Sequence, residues 1–382
     1  LRDAAKYATK AWVFSAPGDP ARMHFFADLL NYHRIDTHRL ARDITINGHT
    51  YAAGESLVVP ASQPQFRLIR SIFETITEFE DATFYDVSTW TLPPAFGLKY
   101  AALAGRDFRT NLVGEAFTPP MPVAEPPDEA TFGYAFEWSP YFAPRALYRV
   151  LDRELLARVA TKPFSAVTST GPREFSRGTI VVPFDRHEMP RADIHQLMNT
   201  IAAEDGATVH ALMSGRSTTG TAGINVGGPS VHPLELPRVL LVVGDDITLY
   251  DAGEIWHLAD VRMQMPITLR DRDALGSIDW DRYTHIIFPA GKYKNHKPKY
   301  AERLRRWIDE GGTAIGMRSA AQWLRGVTLD WEDAESDNEE SDDAEETGEE
   351  ETEEPERLSY SEKDSFEAAK VIGGAIFSAE LD

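Results

Sequence analysis

Arg238-Val-Leu-Leu-Val-Val243 is an unbroken apolar run behind one arginine, and it determines the fold predicted for the C-terminal part of the chain. A strand that is apolar on both faces is typical of a parallel sheet with helices on both sides. Residues 281–289 and 313–316 read as two further strands, and Tyr300–Glu310 reads as the helix between them. The pattern predicts a doubly wound α/β domain over residues 238–382, with its ligands at the carboxyl ends of the strands.

Two earlier segments of the chain share one order of predicted elements. Residues 1–116 and 131–214 are each predicted to form an α/β unit of short strands and two helices. Each contains a Val-Val-Pro strand, which ends at Pro60 in the first and 123 positions later, at Pro183, in the second. This order predicts an internal duplication, but any two α/β units share it to some extent, so that alternative stays open. In the first unit, Asn47-Gly48 predicts a two-residue hairpin turn.

Segments of biased composition separate or interrupt the predicted domains. Residues 117–130 are rich in proline, and residues 215–237 are rich in glycine, serine and threonine, so both are predicted to be connectors. Residues 332–356 hold sixteen acidic and no basic residues, which predicts a disordered insertion in the third domain. Calcium binding is the alternative for this insertion, but its spacing lacks the glycine-centred pattern of an EF-hand loop.

Composition excludes several classes of function. There is no cysteine among the 382 residues, which rules out thiol nucleophiles, thiolate metal sites and disulfides. The net charge is −21, but removing the sixteen acids of residues 332–356 from the total of 60 leaves 44 acidic against 39 basic residues. No basic stripe of the kind that nucleic-acid binding needs is present, so a nucleic-acid partner is not expected. No apolar run approaches ~20 residues, so no membrane span is expected either.

The turn Gly316-Met-Arg-Ser-Ala-Ala-Gln-Trp-Leu324 follows a predicted strand and leads into a predicted helix. Such a turn exposes one side chain above the sheet, where many enzymes place a nucleophile. The stretch resembles the elbow of class I glutamine amidotransferase-like domains, which are flavodoxin-like, but Arg318 stands where their cysteine would be. The resemblance therefore implies a domain without that nucleophile, and Arg318 and Ser319 are its candidate ligand-binding residues.

Three interpretations of this turn stay open. The guanidinium of Arg318 could clamp a carboxylate or a phosphate, because arginine matches the geometry of both anions. The turn could equally be a structural remnant with no ligand. In the third interpretation Ser319 is the nucleophile of a hydrolase, although no obvious histidine and glutamate pair follows it in the sequence.

Two other motifs lack the features of a metal or phosphate site. His232-Pro-Leu-Glu235 has the His-x-x-Glu spacing of zinc peptidases, but Pro233 lies between the two ligands, in a predicted connector. Residues 215–228 are rich in glycine and hydroxyl groups, but they lack the Lys-Ser/Thr ending of a P-loop. We therefore predict no catalytic, cofactor-binding or metal-binding residue in this chain.

A second resemblance extends along most of the chain. It is carried by Asp86-Val-Ser-Thr-Trp-Thr-Leu-Pro-Pro-Ala-Phe-Gly97, by Val58-Val-Pro-Ala-Ser-Gln-Pro-Gln-Phe-Arg67 and by Gly374-Ala-Ile-Phe-Ser-Ala-Glu-Leu-Asp382. These stretches, and the amidotransferase-like third domain, are similar to the region downstream of the catalytic domain in large bacterial zinc carboxypeptidases of the carboxypeptidase A-like superfamily. The resemblance implies that a peptidase domain lies N-terminal to Leu1, that this domain holds the zinc, and that the protein is periplasmic or secreted.

These observations predict an accessory, non-catalytic region of a zinc carboxypeptidase. Its expected partner is its own peptidase domain, and homo-oligomer formation is left open. The alternative is a small-anion or protein-binding module built on the amidotransferase-like domain. The two interpretations differ in the role that they give to Arg318.

Overall fold

The computed structural model describes residues 2–75, 91–185, 188–218, 224–293 and 300–329. These residues form two compact units, the first comprising residues 2–124 and 139–141 and the second comprising residues 125–138 and 142–329. Helices and sheets are mixed throughout, and one of the sheets is parallel. The predicted acidic insertion 332–356 lies outside the described residues, as do Asp86–Trp90 and Gly374–Asp382 of the stretches that carry the second resemblance.

The first unit contains a five-stranded antiparallel sheet in the order β6-β1-β5-β2-β7. Its elements are α1 (Arg2–Lys6), β1 (Thr9–Ser15), α2 (Pro20–Tyr32), β2 (His38–Leu40), β3 (Ile44–Ile46), β4 (His49–Tyr51), β5 (Leu57–Pro60), α3 (Phe66–Phe73), α4 (Leu92–Ala95), β6 (Lys99–Ala104) and β7 (Val113–Ala116). Successive side chains of β1 alternate between two apolar clusters. Trp12 and Phe14 pack with α2 and α3, whereas Val13 packs with Val58 and Leu103. The sheet is therefore covered on both faces.

The hairpin predicted at Asn47-Gly48 is present between β3 and β4. Asn47 has φ +51° and Gly48 has φ +78°, the left-handed pair that a two-residue turn of this type requires. Helix α2 begins at Pro20, because proline suits the first helical position and Asp19 caps the backbone N–H of Arg22 at 3.1 Å.

The second unit begins with a seven-stranded sheet in the order β11-β10-β13-β8-β12-β9-β14, and every pair in it is antiparallel. Its elements are β8 (Gly133–Phe136), α5 (Ala143–Asp152), β9 (Arg158–Ala160), β10 (Phe164–Thr168), β11 (Gly171–Phe175), β12 (Ile180–Pro183), α6 (Arg191–Asp205), β13 (His210–Ser217) and β14 (Val231–Pro233). Strand β14 and the end of β13 fall within residues 215–237. That segment therefore contributes to the sheet. The first and second units divide at Ala124, within the proline-rich residues 117–130.

Five strands of the second sheet repeat the order of the first. The series β13-β8-β12-β9-β14 matches β6-β1-β5-β2-β7 strand by strand, with antiparallel pairing throughout. The hydrogen bonds correspond as well: Gly54 N donates to Leu40 O at 3.1 Å, and Gly178 N donates to Ala160 O at 2.8 Å. The helices that follow β1 and β8 are each followed, two residues after their last residue, by a left-handed residue: Arg34 with φ +57° and Glu154 with φ +58°. This agreement is what an internal duplication predicts.

The rest of the second unit is a four-stranded parallel sheet in the order β16-β15-β17-β18. Its elements are β15 (Val239–Val243), α7 (Leu249–Trp256), β16 (Thr268–Asp271), β17 (His285–Phe288), α8 (Ala301–Asp309), β18 (Thr313–Gly316) and α9 (Ser319–Leu329). Strand β15 is the apolar run that predicted this sheet, and its Leu240, Leu241 and Val242 are fully buried. Leu240 and Val242 pack into a core with Trp280, Leu304 and other side chains from α8 and α9. None of the described helices has both the length and the apolar character that a membrane crossing requires.

The half-buried His210 is expected to make the stability of the second unit depend on pH. Burial and the nearby Arg173 lower the pKa of His210 to about 4, and its ring packs edge-on against Phe175 with 5.5 Å between centroids. An unfolded chain has a histidine pKa of about 6.5, so between about pH 6.5 and pH 4 the unfolded state binds a proton that the folded state does not. We therefore expect stability to fall as the pH falls through this window.

Urea unfolding of His210→Phe and the unmodified chain at pH 7 and pH 4.5 tests this expectation. Phenylalanine keeps the ring contact but cannot titrate, so the variant should lose less stability on acidification. An equal loss in the two proteins would contradict the role given to His210.

Candidate functional site

The predicted site residues lie at the carboxyl edge of the parallel sheet. Because all four strands run in one direction, the loops that follow them meet at the same edge. Three of these loops face one another there: Gly244–Asp246 after β15, Ala290–Lys292 after β17, and Met317–Arg318 after β18. Arg318 and Ser319 are in this group, as the position of their turn in the sequence predicts.

Arg318 occupies the strained position of the turn between β18 and α9. Its φ is +51°, a left-handed conformation that is unfavourable for a residue with a side chain, and the side chain is 75% exposed. The backbone of the turn approaches closely at Gly316. A Cβ on this residue would lie 2.7 Å from the Cα of Ala321, so the absence of a side chain allows the tight turn. The turn therefore holds the guanidinium of Arg318 out from the edge of the sheet.

Among the described residues, Asp251 is the acidic neighbour of the Arg318 guanidinium. Nη1 of Arg318 lies 3.7 Å from Oδ1 of Asp251, which is in the first turn of α7. The other carboxylate oxygen of Asp251 is buried and has no hydrogen-bond partner among the described residues. An ion pair with one highly exposed member contributes little stability, so this contact does not commit Arg318 to a structural role. A guanidinium can bind an anion at this position, but it cannot act as a nucleophile.

The hydroxyl group of Ser319 is engaged by the backbone. Its Oγ accepts a hydrogen bond from Gly291 N at 3.0 Å and donates one to Gly291 O at 2.9 Å. These two bonds attach the start of α9 to the loop after β17. Among the described residues, no histidine forms a hydrogen bond with Ser319, so that part of the chain supplies no histidine general base for this hydroxyl.

The loops after β15 and β17 are joined directly to each other. Lys292 N donates to Asp246 O at 2.8 Å, and Thr248 N donates to Ala290 O at 2.8 Å. A Cβ on Gly291 would lie 2.6 Å from Asp246 O, so only glycine permits this approach. In doubly wound sheets a ligand normally enters the crevice between two such loops. Here backbone hydrogen bonds join the loops after β15 and β17 to each other.

Arg272 supports these joined loops from beside β16. Its side chain is 11% exposed, and its Nη1 donates to Lys292 O at 3.1 Å while its Nη2 lies 3.6 Å from Oδ2 of Asp246. Nothing in the sequence around Arg272 predicts this function, because Lys292 and Asp246 are 20 and 26 positions away. The arginine that spacing predicts at the edge is the exposed one, Arg318.

The structure assembles no metal centre from the residues it describes. Nowhere in those ranges do three or more histidine, aspartate or glutamate side chains come together in a group that could hold a metal ion. His232 is exposed on β14, an edge strand. His195 forms a hydrogen bond of 2.7 Å with the hydroxyl of Tyr134. His187 lies outside the described residues.

Three described side chains determine what the carboxyl edge of the parallel sheet can do chemically. The exposed guanidinium of Arg318 lies beside the partly buried carboxylate of Asp251, and the hydroxyl of Ser319 is hydrogen-bonded to backbone atoms. None of the family models, curated proteins or solved structures compared with the chain matches it.

Proposed function

We propose that this chain is an accessory, non-catalytic region of a zinc carboxypeptidase, an enzyme that removes C-terminal amino acids from peptides. The observation that carries the proposal is Arg318 at the strained position of the elbow, where an amidotransferase-like enzyme needs a nucleophile. The backbone hydrogen bonds of Ser319 support it, because they occupy the neighbouring hydroxyl. The resemblance of the chain to the downstream regions of such peptidases gives the proposal its enzyme class.

We further propose that the parallel sheet belongs to a flavodoxin-like, amidotransferase-like domain. Its order β16-β15-β17-β18 follows the first four strands of the flavodoxin-like order 2-1-3-4-5. The turn between β18 and α9 has the elbow conformation at the position that the resemblance predicts. In this proposal the peptidase domain of the same polypeptide, periplasmic or secreted, supplies the zinc ligands and is the partner of this chain.

A peptidase assay on purified residues 1–382 tests the non-catalytic proposal. Peptides with a range of C-terminal residues are incubated with the chain and a slight excess of zinc, and free amino acids are measured by mass spectrometry. We expect no release above that in buffer with zinc. Release that a chelator stops and that persists in a Ser319→Ala variant would place a metallopeptidase centre in this chain and overturn the proposal.

A second candidate function is the binding of a small anion at Arg318. The observation that favours it is the 75% exposure of a guanidinium that the turn holds away from the sheet. Thermal unfolding in inorganic phosphate and in succinate, for the unmodified chain and Arg318→Ala, tests it. If Arg318 binds an anion, phosphate or succinate should raise the unfolding temperature of the unmodified chain but not that of Arg318→Ala. The control Arg306→Ala, which replaces an exposed arginine on α8, should keep the increase. Equal shifts in all three proteins would contradict anion binding at Arg318.

A further inference from the structure

A groove in the first unit has the composition of a small-molecule site. It has a volume of about 390 Å³ and lies between the start of α2, the strands β2 and β5, and the segment after β7. Met23, Leu57, Phe117 and Met121 give it apolar walls. Met121 is 70% exposed, so part of this apolar surface faces the open groove. Pockets of a few hundred cubic ångströms with apolar walls and few polar groups are typical of ligand sites.

Arg39 supplies a positioned cation in this groove. Its Nη1 donates to Gly54 O at 3.0 Å, and its guanidinium lies over the ring of Phe117, 4.9 Å from the centroid. These two contacts fix the plane of the guanidinium. No ion pair joins Arg39 to any residue that the structure describes, so its remaining N–H groups are available for a carboxylate.

Glu55 supplies the opposite charge next to Arg39. It follows directly on Gly54, whose carbonyl oxygen holds the guanidinium, and it is exposed in the groove. Within the described ranges it forms no ion pair or side-chain hydrogen bond. Asp19 also lines the groove, but its carboxylate already binds the backbone N–H of Arg22 at 3.1 Å and the Nε of Arg22 at 2.9 Å. Glu55 is therefore the carboxylate that remains for a ligand.

The five strands of the second sheet that repeat the order of the first lack these two charges and the ring of Phe117. Arg39 pairs with Leu57 of the Leu-Val-Val-Pro strand, and Val159 pairs with Ile180 of the matching Ile-Val-Val-Pro strand. The second sheet thus has a valine at the position of the arginine.

The other two groove residues differ in the same way. Phe117 N donates to Thr37 O, and Leu234 N makes the corresponding bond to Ala157 O, so the aromatic ring is replaced by leucine. Leu40 N donates to Ser56 O, and Ala160 N donates to Thr179 O. Because Thr179 follows Gly178 directly, Glu55 is an additional residue of the first sheet, with no counterpart in the second.

We propose that the groove binds a zwitterionic α-amino acid with an apolar side chain. Its carboxylate would lie on the guanidinium of Arg39 and its ammonium group on the carboxylate of Glu55. The apolar side chain would lie against Met23, Leu57 and Phe117. A cation and an anion side by side match the two charges on one α-carbon, and the apolar walls favour a hydrophobic residue over glycine. This proposal does not depend on the accessory function proposed above.

Isothermal titration calorimetry of residues 1–382 with L-leucine, L-methionine and L-phenylalanine tests the proposal. Each of the three groups of the ligand has a probe that lacks it: N-acetyl-leucine lacks the ammonium, leucinamide lacks the carboxylate, and glycine lacks the apolar side chain. We expect saturable binding of at least one of the three amino acids. Each probe should bind at least about tenfold more weakly than that amino acid, since a hydrogen bond to a charged group or the burial of a large apolar side chain contributes that much affinity.

Two variants and a control test how much each charged residue of the groove contributes to binding. Arg39→Gln and Glu55→Gln should each weaken binding about tenfold or more, whereas Arg42→Gln, an exposed arginine outside the groove, should bind normally. Glu55 lies in an exposed loop, so its variant tests the site even if Arg39→Gln does not fold. Absence of binding to all three amino acids, or equal affinity in Arg42→Gln, Arg39→Gln and Glu55→Gln, would overturn the proposal.

Discussion

Replacing Asp205 with alanine is expected to lower the free energy of unfolding of the second unit by about 3–5 kcal/mol. Asp205 ends α6, and its side chain is fully buried between two arginines of α5. Its Oδ1 lies 2.6 Å from Arg145 Nε, and its Oδ2 lies 3.0 Å from Arg149 Nε. Burial raises the pKa of Asp205, and the two guanidiniums oppose that shift. Alanine would leave two largely buried cations without their shared anion.

The same arginines extend the effect beyond α5 and α6. Nη2 of Arg149 donates to the side-chain oxygen of Gln264 at 2.9 Å, in the segment that leads to β16. Hydrogen exchange of α6 and of residues 262–268, measured in increasing urea, should therefore show both regions opening more readily in Asp205→Ala. Glu204→Ala is the matched control. Glu204 is 57% exposed, and among the described residues its side chain pairs only with Arg149, so a loss below about 1 kcal/mol is expected. Similar losses in the two variants would contradict the importance of the buried carboxylate.

Replacing Trp280 with alanine is expected to cost about 3–5 kcal/mol of stability, because it empties the centre of the core beside the parallel sheet. The indole is 1% exposed, and its N–H donates to Leu275 O at 3.1 Å. Its ring meets those of Trp307 and Tyr300 at centroid distances of 5.9 Å and 5.7 Å. Alanine removes these contacts and leaves the carbonyl oxygen of Leu275 without its donor.

Trp256→Ala is the matched control for this substitution. Trp256 ends α7 and is 40% exposed, so its loss should cost much less than that of Trp280. Urea unfolding followed by far-ultraviolet circular dichroism measures both losses without relying on the fluorescence of the residue removed. If Trp256→Ala were the more destabilising variant, the core assigned to the parallel sheet would be wrong.

Local sequence patterns predict the elements of this fold better than the sheets they form. The apolar run at 238–243 and the Asn47-Gly48 turn each determine their own conformation, so both predictions are confirmed. The predicted strand 281–289 is longer than the observed β17, His285–Phe288. Its first residues instead form a short helical turn with Trp280, whose indole enters the core. Because aromatic residues are also common in strands, the sequence does not distinguish this turn from a strand. The antiparallel pairing of the first two sheets involves partners far apart in the chain, which local patterns do not encode.

In the candidate site too, local sequence predicts some features, whereas others depend on residues far apart in the chain. The exposure of Arg318 is predicted from the strand, the turn and the helix that surround it in the sequence. The two hydrogen bonds between Ser319 and Gly291 cross 28 positions, so sequence spacing alone does not reveal that the hydroxyl is occupied. The groove beside Arg39 and Glu55 was also missed, because Phe117 reaches it from a segment predicted to be only a connector. Arg39, Glu55 and Phe117 differ from the residues at the corresponding positions of the second sheet, and this difference is the signal that marks them.

Peptide hydrolysis by the native polypeptide is the most direct test of the proposed accessory function. The polypeptide that carries this sequence is isolated from its producing cells with an antibody against residues 1–382, and the release of C-terminal amino acids is measured with and without a zinc chelator. We expect release that the chelator abolishes and added zinc restores. Isolated polypeptide of verified sequence that releases no amino acid in the presence of zinc would contradict the proposed accessory function.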